Sequence, residues 1–169
     1  MEEPEKQRIE MRPIGLLRTP FERPKGAPIQ PSGARGVKGR AIIEAEFEAG
    51  LKDLDGFSHL ILVYWFHLSQ GFELRVTPFL DHEPRGLFAT RAPRRPNPIG
   101  LSTVRLTRVE GPVLHLEDVD MVDKSPLLDL KPYVPEFDLR GEVRLGWLAG
   151  RTDRAGEVRA DDRFQPLKR

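Results

Sequence analysis

Cysteine is absent from this 169-residue chain. Disulfide scaffolds, cysteine nucleophiles and thiolate zinc sites are thereby excluded, and a reducing, cytoplasmic setting is expected. Long apolar runs are missing as well. The longest, Leu60–Phe66, is far too short to cross a bilayer. The opening MEEPEKQRIE mixes both signs of charge and does not resemble a signal peptide, so no membrane association is expected. Excess charge of one sign is lacking too, because the formal net charge is only +1. Any affinity for nucleic acid must therefore come from a local patch.

Common catalytic signatures are equally scarce. The histidines at 59, 67, 82 and 115 form no two-histidine metal spacing, and no metal is expected. Gly33, Gly36 and Gly39 recur every third residue, which matches neither a P-loop nor a dinucleotide fingerprint, so no Rossmann site is expected. Ser58, Ser69, Ser102 and Ser125 lack the GxSxG context of a hydrolase elbow.

What the chain does have is a stiff basic segment, RGLFATRAPRRPNPIGLSTVRL, over residues 85–106. Arg85, Arg91, Arg94, Arg95 and Arg105 are interleaved with Pro93, Pro96 and Pro98. Each proline fixes its own φ and extends the residue before it. Such a connection suits an anionic ligand held in one pose, although exposed arginines also serve solubility alone.

Around this segment the pattern predicts many short strands. Expected strands are 11–18, 40–45, 60–66, 86–90, 101–109, 113–116 and 127–130, with a further one within 139–148. The run at 60–66 is apolar at every position, as for a central strand buried on both faces. A short helix is expected over 47–54, before the Asp55-Gly56 turn. Residues 19–39, with Pro20, Pro24, Pro28 and Pro31, form one long excursion of the kind that is usually functional or mobile. The fold class is thus mainly β, a closed or nearly closed barrel. Residues 1–10 are expected as a flexible lead-in, 11–150 as the barrel domain and 151–169 as a charged tail.

Two further features bear on chemistry. His67 lies where the apolar strand ends, and position alone leaves ligand contact and a polar cap equally open. Asp118, Asp120 and Asp123 could bind a metal, accept from a ligand amine or cap turns. Carboxylates here and arginines at 85–95 would together suit a zwitterionic ligand.

Several blocks resemble the TsaA-like (YaeB/TrmO) family of S-adenosylmethionine-dependent tRNA methyltransferases. They are Pro13-Ile14-Gly15 with Thr19-Pro20-Phe21, Gly56-Phe57-Ser58-His59-Leu60 running to Phe66-His67, and Gly86–Arg91. Arg95-Pro96-Asn97-Pro98-Ile99-Gly100-Leu101-Ser102, Asp120–Asp123 and Pro126–Tyr133 follow in family order. The resemblance implies a β-barrel methyltransferase unrelated to the Rossmann type, acting as a homodimer with cofactor sites near the subunit interface. It implies cofactor contacts at Pro28, Ile29, Gln30, His67, Leu68, Arg91, Leu101, Val119, Asp120, Met121 and Val122. Asn97 is the candidate to orient the acceptor, and Asp120 to meet the cofactor amine or adenosine. Arg94 and Arg95 would meet RNA phosphate or the threonyl carboxylate.

The implied reaction methylates the exocyclic nitrogen of N6-threonylcarbamoyladenosine beside the anticodon of tRNA. A small-molecule methyltransferase and a non-catalytic module binding RNA or cofactor are the alternatives. Two departures stand out: the family's DGTP turn is Asp123-Lys124-Ser125-Pro126 here, and the well-studied bacterial members carry a C-terminal extension beyond about residue 150. The second departure bears on the identity of the RNA substrate.

Overall fold

Alternation of buried with exposed residues is clearest along Ile99–Glu110, where Gly100, Ser102, Val104 and Leu106 are buried and the residues between them are exposed. Such a strand has one wet and one dry face, and a sheet of them must cover the dry face. In the computed structural model, which describes residues 8–164, the sheet does so by closing on itself. Eight strands form: β1 (Gly15–Arg18), β2 (Lys38–Ile43), β3 (His59–Trp65), β4 (Arg75–Val76), β5 (Arg85–Gly86), β6 (Ile99–Glu110), β7 (Val113–Glu117) and β8 (Pro126–Pro132). Six of them make a closed antiparallel barrel in the order β1-β2-β7-β6-β3-β8, and β4 pairs with β5 beside it. Closure leaves no unpaired edge.

The barrel interior is filled by Leu17, Ala41, Leu60, Leu62, Val104, Leu114, Leu116 and Leu127, all buried. Fully burying one such leucine is worth about 1.5–3 kcal/mol. The hairpin β6–β7 turns at Gly111, whose φ of +55° is the left-handed conformation that glycine adopts without strain.

Several sequence expectations need correction. The apolar run 60–66 is not buried on both faces: Leu60, Leu62 and Tyr64 point inward, while Trp65 is 48% exposed on the outer surface. A closed barrel has a single interior, so the other face of each strand looks outward. The expected helix at 47–54 is instead two 3₁₀ segments, Ala45–Leu51 and Leu54–Gly56, broken by Asp53 at φ +65°. Of the expected strand at 86–90 only Gly86 pairs, in the two-residue strand Arg85–Gly86, and Leu87–Ala89 is a 3₁₀ turn. No strand forms within 139–148, where Gly146–Leu148 makes a 3₁₀ turn. β8 is longer than its apolar centre and runs through Lys131-Pro132.

The expected charged tail contributes one buried aromatic residue. Phe164 is buried with Val76, Leu87 and Ala92 in a second small core, edge-on to Phe79 at 5.0 Å. Residues 1–7 of the expected lead-in and 165–169 of the expected tail lie outside the described residues.

Candidate functional site

Gly100 shows how the 97–102 segment builds the site. A Cβ there would lie 2.4 Å from Cε2 and Cζ of Tyr64, its partner across β3 and β6. Only glycine lets the Tyr64 ring occupy the end of the barrel. A register shift in the pairing of β3 with β8, between Val63 and Tyr64, accompanies this placement.

The Tyr64 hydroxyl lies 3.1 Å from Ser102 Oγ, which donates to Asp120 Oδ1 at 2.6 Å. Three consecutive polar groups thus run from the barrel interior to the Asp120 carboxylate. Burial is the main cause that pushes the Asp120 carboxyl up to about 6, opposed by the Ser102 hydrogen bond and the charge of Arg91. Burial likewise raises the Tyr64 phenol, with the Asp120 charge adding to it, so that hydroxyl stays protonated.

Asp120 opens into a cavity of about 790 Å³ beside the end of the barrel, a size typical of small-molecule sites. Pro28, Ile29 and Gln30 from the long loop, His67 and Leu68 after β3, Arg91, Leu101, and Asp120, Met121 and Val122 all line it. Arg91 Nη1 donates to Gln30 Oε1 at 3.0 Å, joining two of these segments. Burial pushes the His67 imidazole below its ordinary value, so it is neutral at physiological pH.

Not every expected residue reaches the cavity. Val119 is fully buried behind it, against Gly39, whose missing Cβ would meet the valine methyls at 2.9 and 3.0 Å. Asn97 is exposed and does not line the cavity. Arg94 Nε donates to the Gln70 carbonyl at 3.1 Å. Arg95 lines the cavity, but its Nη1 is shared among the carbonyls of Leu87, Thr90 and Ala92, at 3.4, 2.9 and 3.3 Å. It stiffens the loop that carries Arg91.

The three aspartates form no cluster either. Asp118 accepts from Gly36 N at 2.7 Å, and Asp123 accepts from Arg18 Nε and Thr19 N at 2.9 and 3.0 Å. Among the described residues no group of three or more His, Cys, Asp or Glu is positioned to hold a metal. Thr19 Oγ1 in turn donates to the Met121 carbonyl at 2.8 Å, so the Thr19-Pro20-Phe21 block clamps the Asp120–Asp123 loop.

The departure at Lys124 has a structural consequence. Lys124 sits at φ +62°, the left-handed region in which the family's glycine is unstrained. Tyr64, Ser102 as a relay, and Ser69 belong to the site without any local sequence signal of that role. Ser69 Oγ is buried at the cavity and has no hydrogen-bond partner among the described residues. The pairing of a glycine with an aromatic across two strands is the signal that would have marked Tyr64.

The cavity suits S-adenosylmethionine chemically. A desolvated carboxylate and an unpartnered hydroxyl can meet an amine or ribose. Arg91 can meet a carboxylate, and Tyr64, Phe66 and Leu101 offer apolar surface to an adenine.

Comparison with known proteins agrees with this geometry. Residues 16–139 match the family described as the tRNA-methyltransferase O N-terminal domain. A "probable S-adenosyl-L-methionine-binding protein" of Pyrococcus abyssi is 50% identical over 156 residues, covering 92% of this chain and 85% of its own. The tRNA (adenine(37)-N6)-methyltransferase of Mus musculus is 38% identical over 133 residues, which are 75% of this chain and 31% of that protein. A crystal structure of TrmO from Pseudomonas aeruginosa superposes with a TM-score of 0.70 at 34% identity, covering 83% of this chain. The match spans 63% of that TrmO chain.

Proposed function

Because the chain belongs to the tRNA-methyltransferase O N-terminal domain family, we propose that it is an S-adenosylmethionine-dependent methyltransferase acting on an adenine N6 of tRNA. The acceptor in this reading is the threonylcarbamoylated adenine beside the anticodon. The observation that carries the reading is the convergence on one cavity of Pro28–Gln30, His67–Leu68, Arg91, Leu101 and Asp120–Val122 from five separate segments.

When bound, S-adenosylmethionine supplies a sulfonium methyl, an electrophile with its leaving group built in. The chain's own task is to bind, orient and keep water out. Asp120 is ionised above about pH 6. It would accept from the cofactor's amine or adenosine, with Ser102 and Tyr64 fixing the carboxylate rotamer. Arg91, steadied by Gln30, would meet the cofactor carboxylate. Asn97, exposed two residues before the cavity-lining Ile99, is assigned to the acceptor N–H through its side-chain carbonyl. The remaining N–H groups of Arg94 and Arg95 are assigned to substrate phosphate or the threonyl carboxylate.

A homodimer belongs to the same reading. Trp65, Phe88 and Leu101 are 48%, 74% and 60% exposed, and Phe88 and Leu101 also line the cavity. A second copy over this apolar area would close the mouth. Among the described residues no helix is long and apolar enough to cross a membrane, and the proposed setting is the cytoplasm.

The deciding experiment is mass spectrometry of tRNA nucleosides after incubation with protein and cofactor. A mass gain of one methyl on the modified adenosine is expected. Methylation of a small acceptor and of no RNA would refute the tRNA assignment, and cofactor binding without turnover would refute the enzyme.

A further inference from the structure

The outer face of the barrel, on the far side of the Asp120–Ser125 loop from the cavity, carries an ordered set of cations. Arg18 pairs with Arg40 across β1 and β2, Arg40 with His115 across β2 and β7, and His115 with Arg108 across β7 and β6. Their inward neighbours Leu17, Ala41 and Leu114 are buried, so this row faces out. A second row, Lys38, Glu117 and Arg105, crosses β2, β7 and β6 in register. Strands lie about 4.8 Å apart and alternate residues about 7 Å apart along a strand, so on β2 and β7 the two rows form a compact grid, while on β6 Arg105 and Arg108 stand three residues apart across a register shift. All residues of the two rows except Arg105, which lies just beyond the rim, line a groove of about 660 Å³.

Like charges directly opposite one another on neighbouring strands are destabilising. The Arg18–Arg40 pair is such a contact, only partly relieved by Asp123, which holds Arg18. Glu110 is taken up by Arg108 and His115. Among the described residues Lys38, Arg40 and Arg105 form no ion pair, and all three are exposed. Cations held this way on a rigid sheet are complementary to a polyanion.

The groove also adjoins the cavity. Val122 lines the cavity, while the next residue, Asp123, lines the groove, so the Asp120–Ser125 loop separates the two. Arg94 Nε and Arg95 Nη1 hold backbone carbonyls, which leaves only their remaining N–H groups for the substrate. We infer that the outer face of β1, β2, β7 and β6 binds the phosphate backbone of the RNA substrate through Lys38, Arg40 and Arg105. This inference rests on the tRNA reading above.

The test uses fluorescence anisotropy with labelled bulk tRNA from 50 to 200 mM KCl, on the wild type and on the Lys38→Ala, Arg40→Ala double variant. Each lost phosphate contact lowers the slope of log affinity against log salt by about 0.7–0.9. The fall in affinity over this range should therefore shrink by roughly tenfold in the double variant, with cofactor binding by calorimetry unchanged. A variant with wild-type tRNA affinity and slope overturns the groove, and the tRNA reading survives if nucleoside methylation persists. A wild type that takes up cofactor but binds no tRNA overturns both. Equal affinity for polyglutamate would assign the face to an acidic protein and overturn the RNA proposal.

Discussion

Asp120→Asn separates what the buried carboxylate costs the fold from what it does for the ligand. The carboxyl titrates near 6 in the folded chain against an ordinary 3.8. Each factor of ten between those constants is worth about 1.4 kcal/mol, so ionising Asp120 in the absence of ligand costs about 3 kcal/mol. The sign follows from proton counting. Between pH 4 and 6 the folded chain holds a proton that the unfolded chain has released, so stability falls as pH rises through this window and is level above it. His67 acts in the opposite direction, because its depressed folded value makes protonation below about pH 6.5 destabilising. The informative quantity is therefore the difference between wild type and variant. Asparagine keeps an oxygen for the Ser102 hydroxyl and carries no charge. Urea unfolding of both proteins from pH 4.5 to 7.5, without cofactor, should show the variant gaining on the wild type and reaching about 3 kcal/mol of extra stability near neutrality. The same variant should lose most of its cofactor affinity. A stability difference that stays flat across this range would refute the account of Asp120 as a desolvated, ligand-awaiting carboxylate.

Two substitutions test the backbone and packing that hold the site. Lys124→Gly relieves a left-handed residue, worth about 1–2 kcal/mol, against about 0.5–1 kcal/mol for glycine's extra freedom when unfolded. A rise in melting temperature of about 2 °C is expected, and a fall would show that Lys124 makes a compensating contact. Gly100→Ala drives a methyl into the buried Tyr64 ring. A loss of about 1–3 kcal/mol in urea titration is expected, and an unchanged midpoint would show that the ring has another resting position.

The fold class and the cavity segments at 28–30, 67–68, 91, 101 and 120–122 were legible in the sequence because both rest on local order. Alternation along 101–109 and the Gly111-Pro112 turn specify the β6–β7 hairpin, and the motif blocks carry residues that meet in space. What escaped was long-range. Nothing local distinguishes a strand buried on two faces from one whose outer face is apolar and open, as Val63 and Trp65 are. The 45–56 segment has helical apolar spacing, yet two glycines and a left-handed Asp53 break it into tight turns. Residues 86–90 look like a strand, but only β4 is available to pair with them, and it has two residues. That Arg95 Nη1 is shared among three carbonyls depends on the fold of residues 87–92, which its charge alone does not reveal.

The small core around Phe164 reaches further than its size. The segment it anchors exchanges backbone hydrogen bonds with the long loop, Gly26 N to Ala160 O at 2.8 Å and Ala160 N to Ala27 O at 2.9 Å. Trp147 Nε1 meanwhile donates to Ala89 O at 2.7 Å, next to the Arg91 loop. Trp147, Leu148, Thr152, Ala155 and Phe164 all line the cavity, yet the family match ends at residue 139. One wall of the ligand chamber is therefore assembled from sequence that the shared family pattern does not specify. A ligand pressed against both walls would clasp the loop and the C-terminal segment together, so that occupancy and the docking of that segment become one equilibrium.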